Sequence, residues 1–473
     1  MHHYRPVTSE IVEELRAIVG EKNVLYGEPD RMQDYAHDEV ADPEYARMPD
    51  VVVKPGSAEE VSAILRLANR ELIPVTPRGA GSGLSGGAVP AYGGILLSTE
   101  RMNRILEIDR ENLVAMVEPG VITNDINEAV AEYGLFYAGY PMSVETCTIG
   151  GNVAENAGGG RAIKYGVTGH HVLGLEVVLP TGEIIHLGGR RLKDVTGYDL
   201  IHLFIGSEGT LGIVTQIILR LMPLPRARAV LLAPFPDVRS AVVALPQVVT
   251  RGRLIPAAVE FMDRLSVETA YRFIGESPPR PDIGAMLLIE LDGYSEGEVE
   301  AQTEAVVEAC LVAGALDVYV GNTPATARRM WLPRQRVAEA FKAISPVQSL
   351  EDIVVPPAAI PALMEELTRL SEKYGVLIPC YGHAGDGNLH ATPVKPPEMP
   401  MEVWKERLPF LLTELYQAVV QLGGTLSGEH GVGSKRAQYL PLVMEPEAIA
   451  LQRRLKELFD PLWILNPGKI FVG

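Results

Sequence analysis

The stretch PRGAGSGLSGG, residues 77–87, restricts the fold of this chain more than any other. Within it, GSGLSG (81–86) has the spacing G-x-G-x-x-G. In a doubly wound nucleotide-binding unit that spacing must run straight into a helix whose N-terminus receives a pyrophosphate. Here the chain continues GAVPAYGGILLS, and Pro90 with Gly93-Gly94 rules that helix out. The glycines keep another use, since consecutive backbone N–H groups in glycine-rich turns form nests that bind phosphate oxygens. Two more such stretches follow: PMSVETCTIGGNVAENAGGGRAIKYG (141–166) and GSEGTLGIVT (206–215). Three Gly/Ser/Thr-rich turns separated by strands imply one extended ligand lying across several loops.

At 473 residues the chain exceeds one ordinary core, and two or three domains are expected. A glycine-rich N-terminal domain spans 1–222. The proline-rich stretch MPLPRARAVLLAPFPD opens a second, helix-and-strand domain over 223–430, and 431–473 forms a C-terminal segment returning to the first. The opening DVVVKPGSAEEVSAILRLANRELIPVTPRG reads as strand, helix, strand, with Ser57 and Glu60 as a capping box. Acidic residues outnumber basic ones, 60 to 42, for a net charge of −18. That field repels polyphosphate backbones and argues against nucleic-acid binding; an anionic substrate would need a local basic site. Cys147, Cys310 and Cys380 are too widely spaced for a disulfide framework or a zinc knuckle and suit a reducing compartment. The N-terminus lacks the apolar core of a signal peptide, and no apolar run reaches bilayer length. A cytoplasmic protein is expected, peripheral to a membrane only through a partner.

YGHAGDGNLH (381–390) is the second informative stretch. Asp-Gly is the leading signal for a two-residue hairpin turn. With Asp386 and Gly387 at the centre, His383 pairs directly with His390, and two imidazoles so placed can share a metal ion. A further cluster, GGTLSGEHGVGSKR (423–436), offers Glu429 as a carboxylate third ligand beside His430. Such nitrogen and oxygen donors suit Zn or Mn. RRMWLPRQRVAEAFKA (328–343) supplies arginines for an anion, Arg334 or Arg336.

Taken in order, PRGAGSGLSGG, PMSVETCTIGGNVAENAGG, KYGVTGHHVLGLEVVLPTGE, GSEGTLGIVTQIILRL and NPGKI resemble the vanillyl-alcohol-oxidase-type FAD domain. More narrowly, they resemble its D-2-hydroxy-acid dehydrogenase branch, which includes the FAD subunit of glycolate oxidase, D-lactate dehydrogenases and D-2-hydroxyglutarate dehydrogenase. The resemblance implies an α+β fold, with an FAD-binding domain and a second α+β cap domain for substrate. It implies that Arg78, Gly79, Ala80, Gly81, Ser82, Gly83 and Ser85 cradle the FAD pyrophosphate. Pro141, Ser143, Thr148, Gly151, Asn152 and Gly159 would line the flavin, with Tyr165 and Gly166 near; Glu208 and Ile213 would lie towards the adenosine end, and Asn466 would also contact the cofactor. The stretch RGAGSG has Ser82 where some relatives carry a flavin-linking histidine, so FAD is expected to be non-covalent.

The resemblance also implies that His383, His390 and Glu429 bind the divalent metal, that His430 is the base, and that Arg334 grips the substrate carboxylate. The expected reaction is oxidation of a small D-2-hydroxy acid such as glycolate or D-lactate to the 2-keto acid, with hydride passing to flavin N5. Electrons would then go to an external acceptor: an iron–sulfur subunit, a quinone or a cytochrome. A homodimer or a subunit of a complex is expected. Where the 2-hydroxyglutarate enzymes carry a lysine, this chain has SLE (349–351), which argues against a dicarboxylate. Two alternatives remain at this point: a catalytically silent FAD subunit, and a non-redox enzyme of the alkyl-dihydroxyacetone-phosphate synthase type.

Overall fold

The computed structural model describes residues 3–139 and 141–471. They form two units. The first comprises Met1–Gly158, Val167–Pro223 and Glu429–Gly473; the second comprises Gly159–Gly166 and Leu224–Gly428.

The first unit opens with helix Ser9–Val19, capped by Thr8 and stopped by Gly20 at φ 85°. Its first sheet contains β1 (Val24–Leu25), β2 (Val51–Val53), β3 (Val75–Arg78) and β4 (Ile95–Ser98), in the order β1-β2-β4-β3. The strand–helix–strand opening is therefore present, but β4 lies between β2 and β3 and is parallel to both. All four β4 residues are buried, and a strand apolar on both faces belongs in the middle of a parallel sheet. Ser57 caps helix Ala58–Glu71 by accepting from Glu60 N–H, but the Glu60 carboxylate accepts from Gly56 N–H at 2.7 Å, so the capping box is only half made.

A second sheet, in the order β5-β6-β10-β8-β9, contains β5 (Ile105–Asp109), β6 (Val114–Val117), β8 (Val172–Val178), β9 (Ile184–Gly188) and β10 (Ile213–Arg220). The short β7 (Leu135–Phe136) pairs with β11 (Met222–Pro223). The C-terminal tail extends the first sheet: Val75 N–H donates to Ile464 and Asn466 N–H to Val75, both at 2.7 Å.

The second unit is built on seven strands in the order β15-β12-β14-β13-β17-β18-β16, every pair antiparallel. They are β12 (Ala227–Phe235), β13 (Ala258–Asp263), β14 (Ala285–Gly293), β15 (Tyr319–Gly321), β16 (Glu351–Val354), β17 (Cys380–His383) and β18 (Asn388–Ala391). One face packs Val230, Leu232, Met262, Leu288 and Tyr381 against Val337 and Phe341 of helix Pro324–Ile344. Further along the same face the side chains turn polar, because Glu260 is two residues from Met262 and His383 two from Tyr381.

The β17–β18 hairpin differs from the expected register. His383 pairs with Asn388, and His390 with Tyr381. The turn is a four-residue loop, Ala384–Gly387, in which Gly387 N–H returns to the His383 carbonyl at 3.1 Å. Outside ties favour the longer loop: Gly385 N–H donates to Val259 and Val355 N–H to Gly387. The displacement is two residues, an even number, so both histidines stay on one face as diagonal neighbours.

Candidate active site

In the second unit the site is organised around a carboxylate that sequence reasoning missed. Glu260 lies directly opposite His383 across the β13–β17 ladder. Its side chain is fully buried; Oε1 lies 2.6 Å from His383 Nδ1 and Oε2 2.7 Å from Arg334 Nε. Burial alone would raise this carboxyl, but the His383 and Arg334 charges override it and hold it below its ordinary value. Arg334 is buried on helix Pro324–Ile344, its guanidinium carbon 5.3 Å from the centre of the Tyr381 ring. Arg336, the other choice, is half exposed and pairs with Glu339 on the same helix.

The His383 and His390 rings pack edge to face with centroids 5.8 Å apart. Donation from Nδ1 to the carboxylate makes Nε2 the basic nitrogen of the neutral His383 ring. Asp352 lies opposite His390 on β16, 3.9 Å from its Nε2. Asp352 also accepts from Asn388 Nδ2 at 2.6 Å, Ser427 Oγ at 2.7 Å and Gly428 N–H at 2.9 Å. It thereby fastens the two residues that immediately precede Glu429 in the chain. The signal for both missed acids was a carboxylate beside apolar residues in a short strand, AVEFMD and EDIV, each of which carries a second acid as well.

Gly159, Tyr165 and Gly166 belong to the short segment of the second unit. That segment is held to β14 by Arg161 on Glu290 at 2.8 Å, by Lys164 on Asp292, and by Tyr165 OH donating to Asp292 at 2.8 Å. Glu351, from the SLE stretch, is buried on the opposite side of β16 from Asp352. It accepts from Ser349 and from Tyr416 of helix Met401–Gln421.

In the first unit the glycine crest backs onto Thr148. A Cβ at Gly79 would lie 2.3 Å from Thr148 Oγ1 and one at Gly151 3.5 Å from it. The Thr148 hydroxyl is buried with no hydrogen-bond partner. Gly81, Ser82 and Gly83 are half-buried, Ala80 is exposed, and a Cβ at Gly83 would meet nothing within 4 Å. A close-packed glycine backbone with one buried, unanswered hydroxyl fits a pyrophosphate-bearing ligand. Pro141 is half-buried and Ser143 exposed, its carbonyl accepting from Thr146 and Cys147.

Several of the expected cofactor residues also hydrogen-bond to the protein's own loops. Arg78 is buried and donates to the carbonyls of His37 and Asp34 at 2.7 and 2.8 Å. Ser85 Oγ accepts from Gly87 N–H and faces Glu155, and Asn152 donates to Thr123. Ile213 is a core residue of β10. Asn466 donates to Gly87 and Glu208 carbonyls at 3.1 and 2.7 Å, tying the tail to the glycine loop. The Glu208 carboxylate accepts from Val432 N–H at 2.7 Å and Gly433 N–H at 2.6 Å. It thus holds the loop that follows His430, whose Nε2 lies 3.5 Å from Glu429 Oε1. Beside it, burial and the Glu208 charge push the Glu155 carboxyl well up.

Residues 49–188 match the FAD binding domain family, and residues 224–470 match the C-terminal domain of FAD linked oxidases. The chain is 41% identical over 467 residues to the glycolate oxidase subunit GlcD of Bacillus subtilis (strain 168), covering 98% of this chain and 97% of that protein. It is 39% identical over 474 residues to a D-lactate dehydrogenase of Anaerostipes hadrus, covering 99% and 98%. Among solved structures, p-cresol methylhydroxylase with substrate bound superposes with a TM-score of 0.80 at 20% identity, covering 100% of this chain and 99% of that one. An alkyldihydroxyacetonephosphate synthase superposes with a TM-score of 0.73 at 21% identity, covering 98% and 87%. Both likenesses are of fold. The chain belongs to the FAD-linked oxidase family, in its 2-hydroxy-acid dehydrogenase branch, and is an FAD-linked oxidoreductase on the vanillyl-alcohol-oxidase-type fold.

Proposed function

We propose that this chain oxidises a small D-2-hydroxy acid, glycolate or D-lactate or a close analogue, to the 2-keto acid. The observation that carries this reading is the buried cluster in which Arg334 and His383 share the Glu260 carboxylate and His390 packs against His383. FAD would be held non-covalently by Gly79–Gly83 and Thr148, and supplies a two-electron acceptor. A divalent metal, Zn or Mn, would be held by His383, His390 and Glu429, and supplies a Lewis acid that makes a hydroxyl proton easier to remove near neutral pH.

Arg334 presents a planar pair of N–H donors to the substrate carboxylate, which keeps C2 and its hydroxyl in one orientation. His430 takes the hydroxyl proton, and the C2 hydrogen leaves with its electron pair. Loss of substrate to water is limited by the burial of Arg334 and His383, both under a tenth exposed. With a net charge of −18, the protein draws an anionic substrate only through this local cation. The electrons leave to an external acceptor: a partner iron–sulfur subunit, a quinone or a cytochrome. Among the described residues no helix is long and apolar enough to cross a membrane.

The test is anaerobic bleaching of the oxidised flavin band by a panel of D- and L-2-hydroxy acids. It is run on protein as purified, after EDTA, and after adding back Zn or Mn. Bleaching by one D-acid, abolished by EDTA and restored by metal, is the expected result. Bleaching that survives complete metal removal would overturn the metal's role. Absence of bleaching by every acid, with flavin bound, would overturn the dehydrogenase reading.

A further inference from the structure

Glu260 has two oxygens and two partners, and the partners belong to different parts of the proposed chemistry. Oε1 receives the His383 ring at 2.6 Å and Oε2 receives Arg334 Nε at 2.7 Å, with the carboxylate fully buried. The backbone at Gly160 closes over it, since a Cβ there would lie 2.5 Å from Oε1. No side chain fits between Gly160 and the carboxylate.

A bidentate arrangement of this kind constrains both partners. Accepting from Nδ1 sets the His383 tautomer and the plane of its ring, so Nε2 points in one direction. Accepting from Arg334 Nε fixes the guanidinium plane and leaves its Nη1–Nη2 edge as the one that offers two parallel donors. The Tyr381 ring, two residues before His383 on β17, supports the Arg334 guanidinium from its face. Moving the carboxylate would therefore turn both groups together.

We propose that Glu260 is a positioning residue that couples the metal-binding histidine to the carboxylate-binding arginine, so that one buried side chain sets both halves of the substrate site. This rests on the function proposed above. It separates Glu260 from Glu290 and Asp292, buried acids of the neighbouring strand whose partners are Arg161, Lys164 and Tyr165.

The test compares wild-type holoenzyme with Glu260→Gln and Glu260→Asp by two binding measurements that need no turnover. Metal affinity is read by chelator competition with Zn or Mn. Carboxylate binding is read from the shift of the flavin spectrum on titration with oxalate in metal-stripped protein. Glu260→Gln is expected to weaken metal binding roughly 10–100-fold, the range for loss of a carboxylate behind a metal-ligating histidine, and to weaken oxalate binding in the same variant. His383→Ala is expected to lose metal while keeping oxalate in stripped protein, which separates coupling from general damage. Glu260→Asp keeps the charge with a shorter reach and should show smaller losses in both; it decides the matter if Glu260→Gln does not fold. Unchanged affinities, or loss of one without the other, would overturn the proposal. If wild-type protein binds neither metal nor oxalate, the reading of the function fails first and the coupling with it.

Discussion

Asp263 shows how a single buried acid ties the stability of the sheet to pH. It stands at the end of β13, three residues beyond Glu260, and caps helix Arg264–Phe273 by accepting from Ser266 N–H at 2.7 Å. Its other oxygen accepts from Cys380 N–H at 3.0 Å, the first residue of the strand that carries His383. Burial raises its carboxyl from 3.8 to about 6, against the opposing effect of those hydrogen bonds. Between those two pH values the folded protein binds a proton that the unfolded chain has released, so this residue's contribution to stability falls as pH rises and is constant above. A separation of about two pH units corresponds to about 3 kcal/mol. The denaturant midpoint of wild-type protein minus that of Asp263→Asn should therefore be larger at pH 4 than at pH 6. An unaltered difference between the two proteins across that range would refute the assignment. Nothing in the sequence separates Asp263 from an ordinary helix cap, because a cap and a buried acid use the same residue and differ only in what covers them.

Among elements, the β17–β18 hairpin carries the most of the site in the fewest residues. Its Asp-Gly signal correctly marks a turn and the sharing of a face, because a two-residue change of register preserves parity. It does not set the loop length, which depends on bonds from Val259 and Val355 that lie far away in sequence. Gly387 adopts φ 84°, and a Cβ there would lie 2.0 Å from the Val355 carbonyl. Gly387→Ala should therefore cost more than the roughly 1–2 kcal/mol of a left-handed non-glycine residue, since backbone must also move. Chemical denaturation with a metal-content assay would check it; unchanged stability would mean the turn is not held as described. The motif that favours Arg334 over Arg336 does not show their surroundings: Arg334 is buried on a carboxylate, and Arg336 is half exposed beside Glu339. Glu260 and Asp352 were not legible, since a strand pattern shows that an acid is enclosed without showing what it faces.

At the scale of the whole molecule, charge sets the approach of substrate. A net charge of −18 opposes an incoming acid at long range, whereas Arg334 attracts it only at contact. Raising ionic strength shortens the Debye length from ~30 Å at ~0.01 M to ~8 Å at ~0.15 M. kcat/KM for an anionic hydroxy acid should therefore rise over that range with kcat nearly constant; a fall would mean that a positive field around the entrance outweighs the net charge. The glycine-rich loops made the flavin-binding class of the chain readable, since few ligands need three such turns. What the motif did not show is that Arg78, Ser85 and Glu208 also hydrogen-bond to the backbone of neighbouring loops.

The two units are interleaved along the chain. The second is complete at Gly428, while the first still lacks the stretch from Glu429 onward. That stretch supplies Val432 and Gly433 to Glu208, Asn466 to the glycine loop, and Ile464 beside Val75. As the polypeptide leaves the ribosome, the later-encoded unit can thus fold first, and the N-terminal one must wait, its flavin cradle unbraced, for the last part to be made. A nascent chain stalled before residue 429 lacks both the Val432–Gly433 backbone that meets Glu208 and the Asn466 amide that meets the glycine loop.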